Sequence, residues 1–250
     1  MLERTFIHIP GIGPVTERAL WARGLATWDE FVASPARAPF SAARTQQVLR
    51  CVQESQSCLA ARDHTYFARL LKPPEHWRAF DAFGSRVAYV DIETTGMGGW
   101  AAITVIGLYD GQRTRTYVRG QNLDEFAEDV VGYPLLVTFN GTTFDLPFIR
   151  RAFPSLQLDQ LHVDLRWMLR RLGHTGGLKS IERKLRLPER SPRIAGLDGW
   201  DAVRLWHEHV RGSEDSLQLL IEYNTADIEN LELLMRGAYN DLVRRCLEPA

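Results

Sequence analysis

Five residues in this chain have the types and spacing to do chemistry together: Asp91, Glu93, Asp145, Tyr223 and Asp227. Asp91 and Glu93 end the run Val87-Ala88-Tyr89-Val90-Asp91-Ile92-Glu93-Thr94-Thr95-Gly96, which begins as a buried β-strand should. Two apart on a strand, their carboxylates point to one face. Buried without compensation they raise each other's pKa and destabilise the fold, and a divalent cation between them reverses the sign. The competing reading is a strand that has already ended, with two solvated acids and Thr94-Thr95-Gly96 as an ordinary turn.

Asp145 also follows an apolar strand and a polar turn. Before Leu146-Pro147 it has the position of a helix N-cap with proline in the first turn, so a cap and a ligand are both open. Asp227 lies in a helical pattern whose same-face neighbours are Leu220, Tyr223, Leu231 and Leu234. It borders an apolar stripe and therefore needs a partner. Tyr223, one turn earlier, brings a hydroxyl to that face; the alternative is a core tyrosine beside a boundary aspartate. Strand ends of α/β sheets are where sites form. Three aspartates and a glutamate converging there would hold two divalent cations, the equipment for in-line displacement at phosphorus.

The elements that must position these residues start at residue 86. Strand signals cover 87–92, 103–109 and 114–118, the last two joined at the turn Asp110-Gly111. A helix is expected at 124–131, a fully apolar strand at 135–139, a helix from Pro147 and a short strand at 161–163. Helices follow Leu165, ending with a long one from Asp215 to about Arg245. Three antiparallel strands followed by α/β alternation predict an α/β fold with a mixed sheet flanked by helices. The first eighty or so residues read as all-α. A glycine turn, Ile9-Pro10-Gly11-Ile12-Gly13-Pro14, precedes an amphipathic stretch 15–23 that Gly24 stops. Thr27 caps a short helix, a longer helix runs 41–61, and Lys72-Pro73-Pro74 breaks the chain before a short segment at 77–80. The division is a helical accessory domain at 1–82 and an α/β domain at 83–250.

Three stretches resemble the motifs of the DEDD exonucleases, which have the ribonuclease-H-like fold. They are Asp91-Ile92-Glu93-Thr94-Thr95-Gly96, Asn140 through Phe144-Asp145, and Tyr223-Asn224-Thr225-Ala226-Asp227. The last has the Y-x-x-x-D form; the histidine branch would need histidine where this chain has Glu222. Gly177-Leu178-Lys179-Ser180-Ile181-Glu182 and the ending IEYNTADIENLELL resemble the YprB-type subgroup, and the likeness covers roughly residues 86–238. The resemblance implies a metal-dependent 3′→5′ exonuclease that releases nucleoside monophosphates from single-stranded DNA or RNA ends. Asp91, Glu93, Asp145 and Asp227 would hold two Mg²⁺ or Mn²⁺ ions, as oxygen-only ligands suit hard cations, with Asp91 bridging both. Tyr223 would orient the attacking water. Thr94, Met97, Asn140 and Lys179 would lie on the substrate side, Met97 against the terminal nucleotide. Lys179 has a second reading as the solvated start of a helix. Trp100 is expected to be buried against the sheet, with base stacking as the alternative. Asp164 reads equally as an additional site acid or a helix cap, and His207 and His209 face different sides of a helix, poor co-ligands.

The N-terminal segment resembles a helix-hairpin-helix unit, whose glycine turn would grip a nucleic-acid phosphate through backbone N–H groups. Residues 1–60 carry six basic and five acidic residues, a thin electrostatic footprint, so a helical cap is the alternative. Two further readings of the whole chain are a non-catalytic nucleic-acid-binding module and a structure-selective endonuclease.

Composition bounds these readings. A chain of 250 residues with 45% apolar and 24% charged residues needs no disulfide or metal staple to build a core. The net charge of −1 is uninformative, but its distribution is not. From Arg150 to Arg193 eleven Lys/Arg face four Asp/Glu, and from Gly196 to Glu232 two face nine. That polarity fits an anionic substrate beside a cation-holding site, or simply solvated helix faces. Cys51, Cys58 and Cys246 form no metal-ligand spacing; Cys51 and Cys58 are expected on one buried side of a helix, which fits a reducing compartment. No apolar run approaches the ~18 residues of a membrane span, and no signal-peptide pattern opens the chain, so no membrane partner and a cytosolic location are expected.

Overall fold

Caps and buried aromatic residues set the elements of the first part of the chain. In the computed structural model, which describes residues 1–247, two compact units form: Met1–Ser85 with Asp159–His162, and Arg86–Leu158 with the chain from Val163 onward. In the first, a 3₁₀ turn (Leu2–Arg4) and the glycine turn precede α1 (Pro14–Trp21), with Gly11 at φ +78°, a conformation that favours glycine. Thr27 and Glu30 form a capping box for α2 (Trp28–Ala33), and Ser41 caps α3 (Ala42–Ala60). Helix α4 (His64–Leu70), capped by Asp63, was not expected: seven residues are too few to show a period. A 3₁₀ segment (Pro73–Ala79) and α5 (Phe80–Phe83) complete the unit. Its core centres on Trp28 stacked on Phe67, ring centroids 6.1 Å apart, with Phe6, Phe31 and Phe83 buried around them. Buried Glu17 accepts the Phe6 N–H at 2.7 Å and pairs with Arg78 at 3.0 Å. Cys51 and Cys58 are free but half-exposed, because the buried stripe of α3 is Val48, Val52 and Ser55.

The second unit is built on a mixed sheet in the order β3-β2-β1-β4-β5. Its strands are β1 (Val87–Thr94), β2 (Ile103–Tyr109), β3 (Thr114–Val118), β4 (Leu135–Thr138) and β5 (Leu161–Asp164). β1 is antiparallel to β2, β2 antiparallel to β3, and β1 parallel to β4, which is the mixed arrangement predicted. At the β2–β3 turn, Asp110 accepts the N–H groups of Gln112 and Arg113. The helices are α6 (Phe126–Val130), α7 (Asp145–Ala152), α8 (Leu165–Arg171), α9 (Leu178–Leu185), α10 (Gly199–Val210) and α11 (Glu214–Leu247).

Strand alternation sends Ala88, Val90 and Ile92 into a core with Phe126, Val130, Phe148 and Ile149 of α6 and α7. On the opposite face Val105 joins Leu205 and Trp206 of α10 and Leu217, Leu220 and Tyr223 of α11. Asp91 and Glu93 belong to that second face, two residues from the buried Tyr89. Among the described residues no helix is long and apolar enough to cross a membrane.

Gly107 of β2 stands opposite Asp91, and a Cβ there would lie 2.0 Å from Asn224 Oδ1 on α11. The missing side chain lets α11 close on the sheet. Gly107→Ala should cost about 1–3 kcal/mol through overpacking. It should lower the urea midpoint without changing the slope of the transition.

Candidate active site

The sheet and α11 bring three of the five sequence-predicted residues into direct proximity. One carboxylate oxygen from each of Asp91, Glu93 and Asp227 lies within 4.8 Å of the others, with Asp91 part-buried and the other two buried. Asp91 is further held by Asn224, whose Nδ2 donates to its Oδ2 at 2.9 Å and to its backbone oxygen at 3.2 Å. A shift in the β1–β2 register follows Glu93, so the strand bends just past the pair.

Asp145 reaches the same place from another element. β4 pairs with β1 only as far as Tyr89, leaving the later β1 edge without that partner. The buried Asp145 carboxylate takes the Ile92 N–H there, at 3.2 Å, between the two acids of β1. α7 begins at Asp145 itself, two residues before the expected Pro147, and Phe144 is the N-cap position. Asp145 therefore does not cap the helix. It stands outside the 4.8 Å set, yet its charge acts on Asp91 and Glu93.

Tyr223 is buried beside them, its hydroxyl oxygen accepting a hydrogen bond from Lys179 Nζ at 2.6 Å. The ammonium also lies 3.8 Å from the ring centroid and donates to the Leu197 carbonyl. Lys179 is thus not a solvated helix start: α9 points its first turn inward, into a recess lined by Lys179, Asp198, Tyr223 and Asp227. Thr94 is buried and its hydroxyl donates to Gly96 O at 2.7 Å, closing the turn after β1. Met97 and Trp100 are both exposed, which corrects the expected burial of Trp100. Arg151 donates to the carbonyls of Gly99 and Ala101 and so secures the loop that presents them. Asn140 adopts φ +67°, and its Oδ1 accepts from Arg166 at 2.6 Å and from Thr143 at 2.8 Å. Asp164 caps α8 and also accepts the N–H groups of Asn140 and Thr142, so it shapes the loop before Asp145. His207 and His209 lie on α10, apart from the acidic cluster.

Arg190 was not foreseen. Its Nη2 pairs with Asp227 Oδ1 and, at 2.6 Å, with Glu182 Oε1. Arginine in an irregular segment gives no periodic signal, and only Glu182, within the quoted Lys179 motif, hinted at a local role. Asn224, inside the Y-x-x-x-D stretch, neighbours Tyr223 and is buried.

Electrostatics set the character of the site. Burial, then Asp227, Asp145 and Glu93, hold the Asp91 carboxyl well above the usual range. Glu93 is raised likewise by burial and then by Asp227. Burial pushes Asp145 up to about 7. Asp227 is raised by burial, against the lowering effects of Arg190 and Lys179. Burial raises the Tyr223 hydroxyl and lowers the Lys179 ammonium. The donor set is all oxygen, with no cysteine or histidine, and it suits a hard divalent cation whose charge would relieve the repulsion.

Residues 88–239, more than half of the chain, match the sequence model of the RNase_H superfamily. The chain belongs to the RNase H superfamily. A family B DNA polymerase from the hyperthermophilic archaeon Pyrobaculum calidifontis is similar in structure at 16% identity and a TM-score of 0.48. The likeness covers 61% of this chain and 24% of the polymerase, so the RNase H superfamily protein spans about a quarter of that length. A search of curated proteins finds no match. The acidic cluster lies within the residues that match the superfamily.

The raised carboxyls make a pH prediction. Asp145 has an ordinary value near 4 when unfolded and about 7 when folded. The folded state therefore binds the proton more tightly, and stability falls as pH rises through that interval. Without metal, the Tm should drop between pH 5 and pH 7, and Asp145→Asn should flatten the drop. Adding Mn²⁺ at pH 7.5 should restore the wild-type Tm and release protons, measured by calorimetry in buffers of different ionisation enthalpy.

Proposed function

We propose that the domain at 83–250 is a DEDD-type exonuclease of the tyrosine branch, close to the YprB-type subgroup, acting 3′→5′ on single-stranded DNA or RNA. The observation that carries this reading is the meeting of Asp91, Glu93 and Asp227, with Asp145 and Tyr223 alongside, from three motifs far apart in the chain. A binding-only domain has no use for four carboxylates that repel one another.

Asp91, Glu93, Asp145 and Asp227 would hold two Mg²⁺ or Mn²⁺ ions. Cations held there would supply Lewis acidity for displacement at phosphorus. The protein's own groups do the rest. Lysine has only donors, so the Lys179–Tyr223 hydrogen bond uses the phenol oxygen as acceptor and leaves the phenol proton to be donated to the attacking water. Burial keeps Tyr223 protonated and in that donor state. Asn224 fixes the Asp91 carboxylate, and Asp145 is fixed by the Ile92 N–H, so the oxygens are oriented before any ligand arrives. Met97 on its secured loop takes the terminal nucleotide, with Trp100 beside it offering an exposed ring to a base. Thr94 and Asn140 hold the turns on either side of the acids, and Lys179 brings positive charge to the recess beside Tyr223. The segment 1–82 is an accessory domain of helix-hairpin-helix type. Arg44, whose guanidinium donates to the Pro10 carbonyl, places a cation at its glycine turn.

The test uses 5′-labelled single-stranded DNA and RNA with Mn²⁺ or Mg²⁺. The expected result is a ladder shortening from the 3′ end, abolished by Asp91→Ala and by Asp227→Ala. Internal cuts in a circular substrate would transfer the reading to an endonuclease, and binding without cleavage to a non-catalytic module. Tyr223→Phe and Lys179→Met should each lower kcat by about 10- to 100-fold while Mn²⁺ affinity is kept, as loss of orientation predicts.

A further inference from the structure

The contact between Arg190 and Asp227 joins the acidic cluster to a second pair of buried charges. Arg190 lies between α9 and α10, in the irregular segment 186–198. Its Nε donates to Glu182 Oε2 at 3.1 Å and its Nη2 to Glu182 Oε1 at 2.6 Å, a two-point fork. The same Nη2 meets Asp227 Oδ1. That contact is an ion pair without hydrogen-bond geometry, so the guanidinium acts on Asp227 through its charge while its N–H groups are directed at Glu182. Glu182 is fixed in turn from α11 by Asn230, whose Nδ2 donates to Oε1 at 3.0 Å. All three side chains in the chain of charges are less than one-tenth exposed, at 8% for Glu182, 7% for Arg190 and 9% for Asp227.

The residues after Arg190 are tied to the same helix. Ser191 donates to Glu222, and Arg193 pairs with Glu222 at 3.3 Å and with Asp215 at 2.9 Å. Arg190 is therefore held by its own backbone as well as by Glu182. Such a fixture fits a group that orients another side chain.

The charge balance identifies its use. A lone guanidinium against Asp227 would orient the carboxylate but would also repel a divalent cation arriving there. Glu182 cancels that charge at hydrogen-bond range, so the pair orients Asp227 and adds no net charge to the site. We propose that Glu182 and Arg190 form a charge-neutral clamp that orients Asp227 and thereby sets the divalent-cation affinity of the cluster. The proposal rests on the reading of the cluster as a metal centre. Both are positioning residues: neither is one of the proposed ligands.

The experiment measures Mn²⁺ binding to the full chain, by calorimetry and by the EPR signal of free Mn²⁺. The chains compared are wild type, Glu182→Gln, Arg190→Gln, the double variant and Arg190→Lys, with near-UV circular dichroism to verify folding. Glu182→Gln leaves the arginine charge uncancelled, and Arg190→Gln removes the orienting charge. Each should weaken Mn²⁺ binding by about 10- to 100-fold, as loss of a group holding a metal ligand does. The double variant should bind better than Glu182→Gln alone, because the repelling charge has gone. If Arg190→Gln does not fold, Arg190→Lys decides: it keeps the charge, lacks the fork, and should also weaken binding. Unchanged Mn²⁺ affinity in folded Glu182→Gln and Arg190→Lys overturns the clamp. Tighter binding in Arg190→Gln overturns it too, making Arg190 a competitor for the metal. A wild type that binds no Mn²⁺ removes the metal centre and the clamp together. A wild type that binds Mn²⁺ and cuts nothing removes the exonuclease reading alone.

Discussion

Repulsion among buried carboxylates is the constraint on which the rest of this structure depends. Asp91, Glu93, Asp145 and Asp227 all titrate above the ordinary carboxylate range, and burial is the largest cause for each. Folding must therefore hold together groups that separate in water. The energy to do so comes from the apolar surface on both faces of the sheet, where α6 and α7 cover one side and α10 and α11 the other. The core is not incidental to the site. It supplies the free energy that keeps the acids close to one another against their repulsion.

Positioning is shared between what the elements make and what they leave out. β1 runs five residues beyond its last pairing with β4, and Asp145 takes the Ile92 N–H on the edge so exposed. Gly107 leaves out a side chain, and Asn224 uses the space to reach Asp91. Both arrangements bind an acid to a backbone or amide group that has little freedom to move. The acids are thus fixed by neutral donors as well as by charge, and their geometry is preserved when their protonation changes.

Legibility in the sequence followed the physics of each signal. Strands β2 and β3 matched their expected limits because apolar alternation and the Asp110-Gly111 turn bound them on both sides. The three acidic motifs were visible because acids at strand ends and within an apolar helical stripe are costly without a reason. Asp145 shows the limit of local rules: its position before Leu146-Pro147 suits a cap, but the partner that claims its carboxylate lies 53 residues away in sequence. Trp100 is expected against the sheet, yet Arg151 ties down its loop and the ring stands outside. Asn224 and Arg190 carry no signal of their own, since an amide or an ion pair acquires its meaning only when the fold supplies the partner.

The charge polarity of the chain takes on a definite meaning once the partners are known. The basic stretch ending at Arg193 and the acidic stretch beginning at Gly196 are consistent with solvated helix faces and with an anionic substrate beside a cation-holding site. Part of the answer is neither. Arg190 and Arg193 spend their charge on Asp227, Glu222 and Asp215 of α11, so the two stretches meet each other along one helix. These pairs differ in environment. The Arg193 pair is exposed and adds little stability, whereas the Glu182–Arg190–Asp227 series is buried, where an unmatched charge would be strongly unfavourable. Two basic residues three apart therefore do different things: Arg193 secures the segment, and Arg190 acts on the carboxylate that the site needs. Net charge and its distribution along the sequence could not separate those roles, because the difference lies in burial and in the second acid that stands behind Arg190.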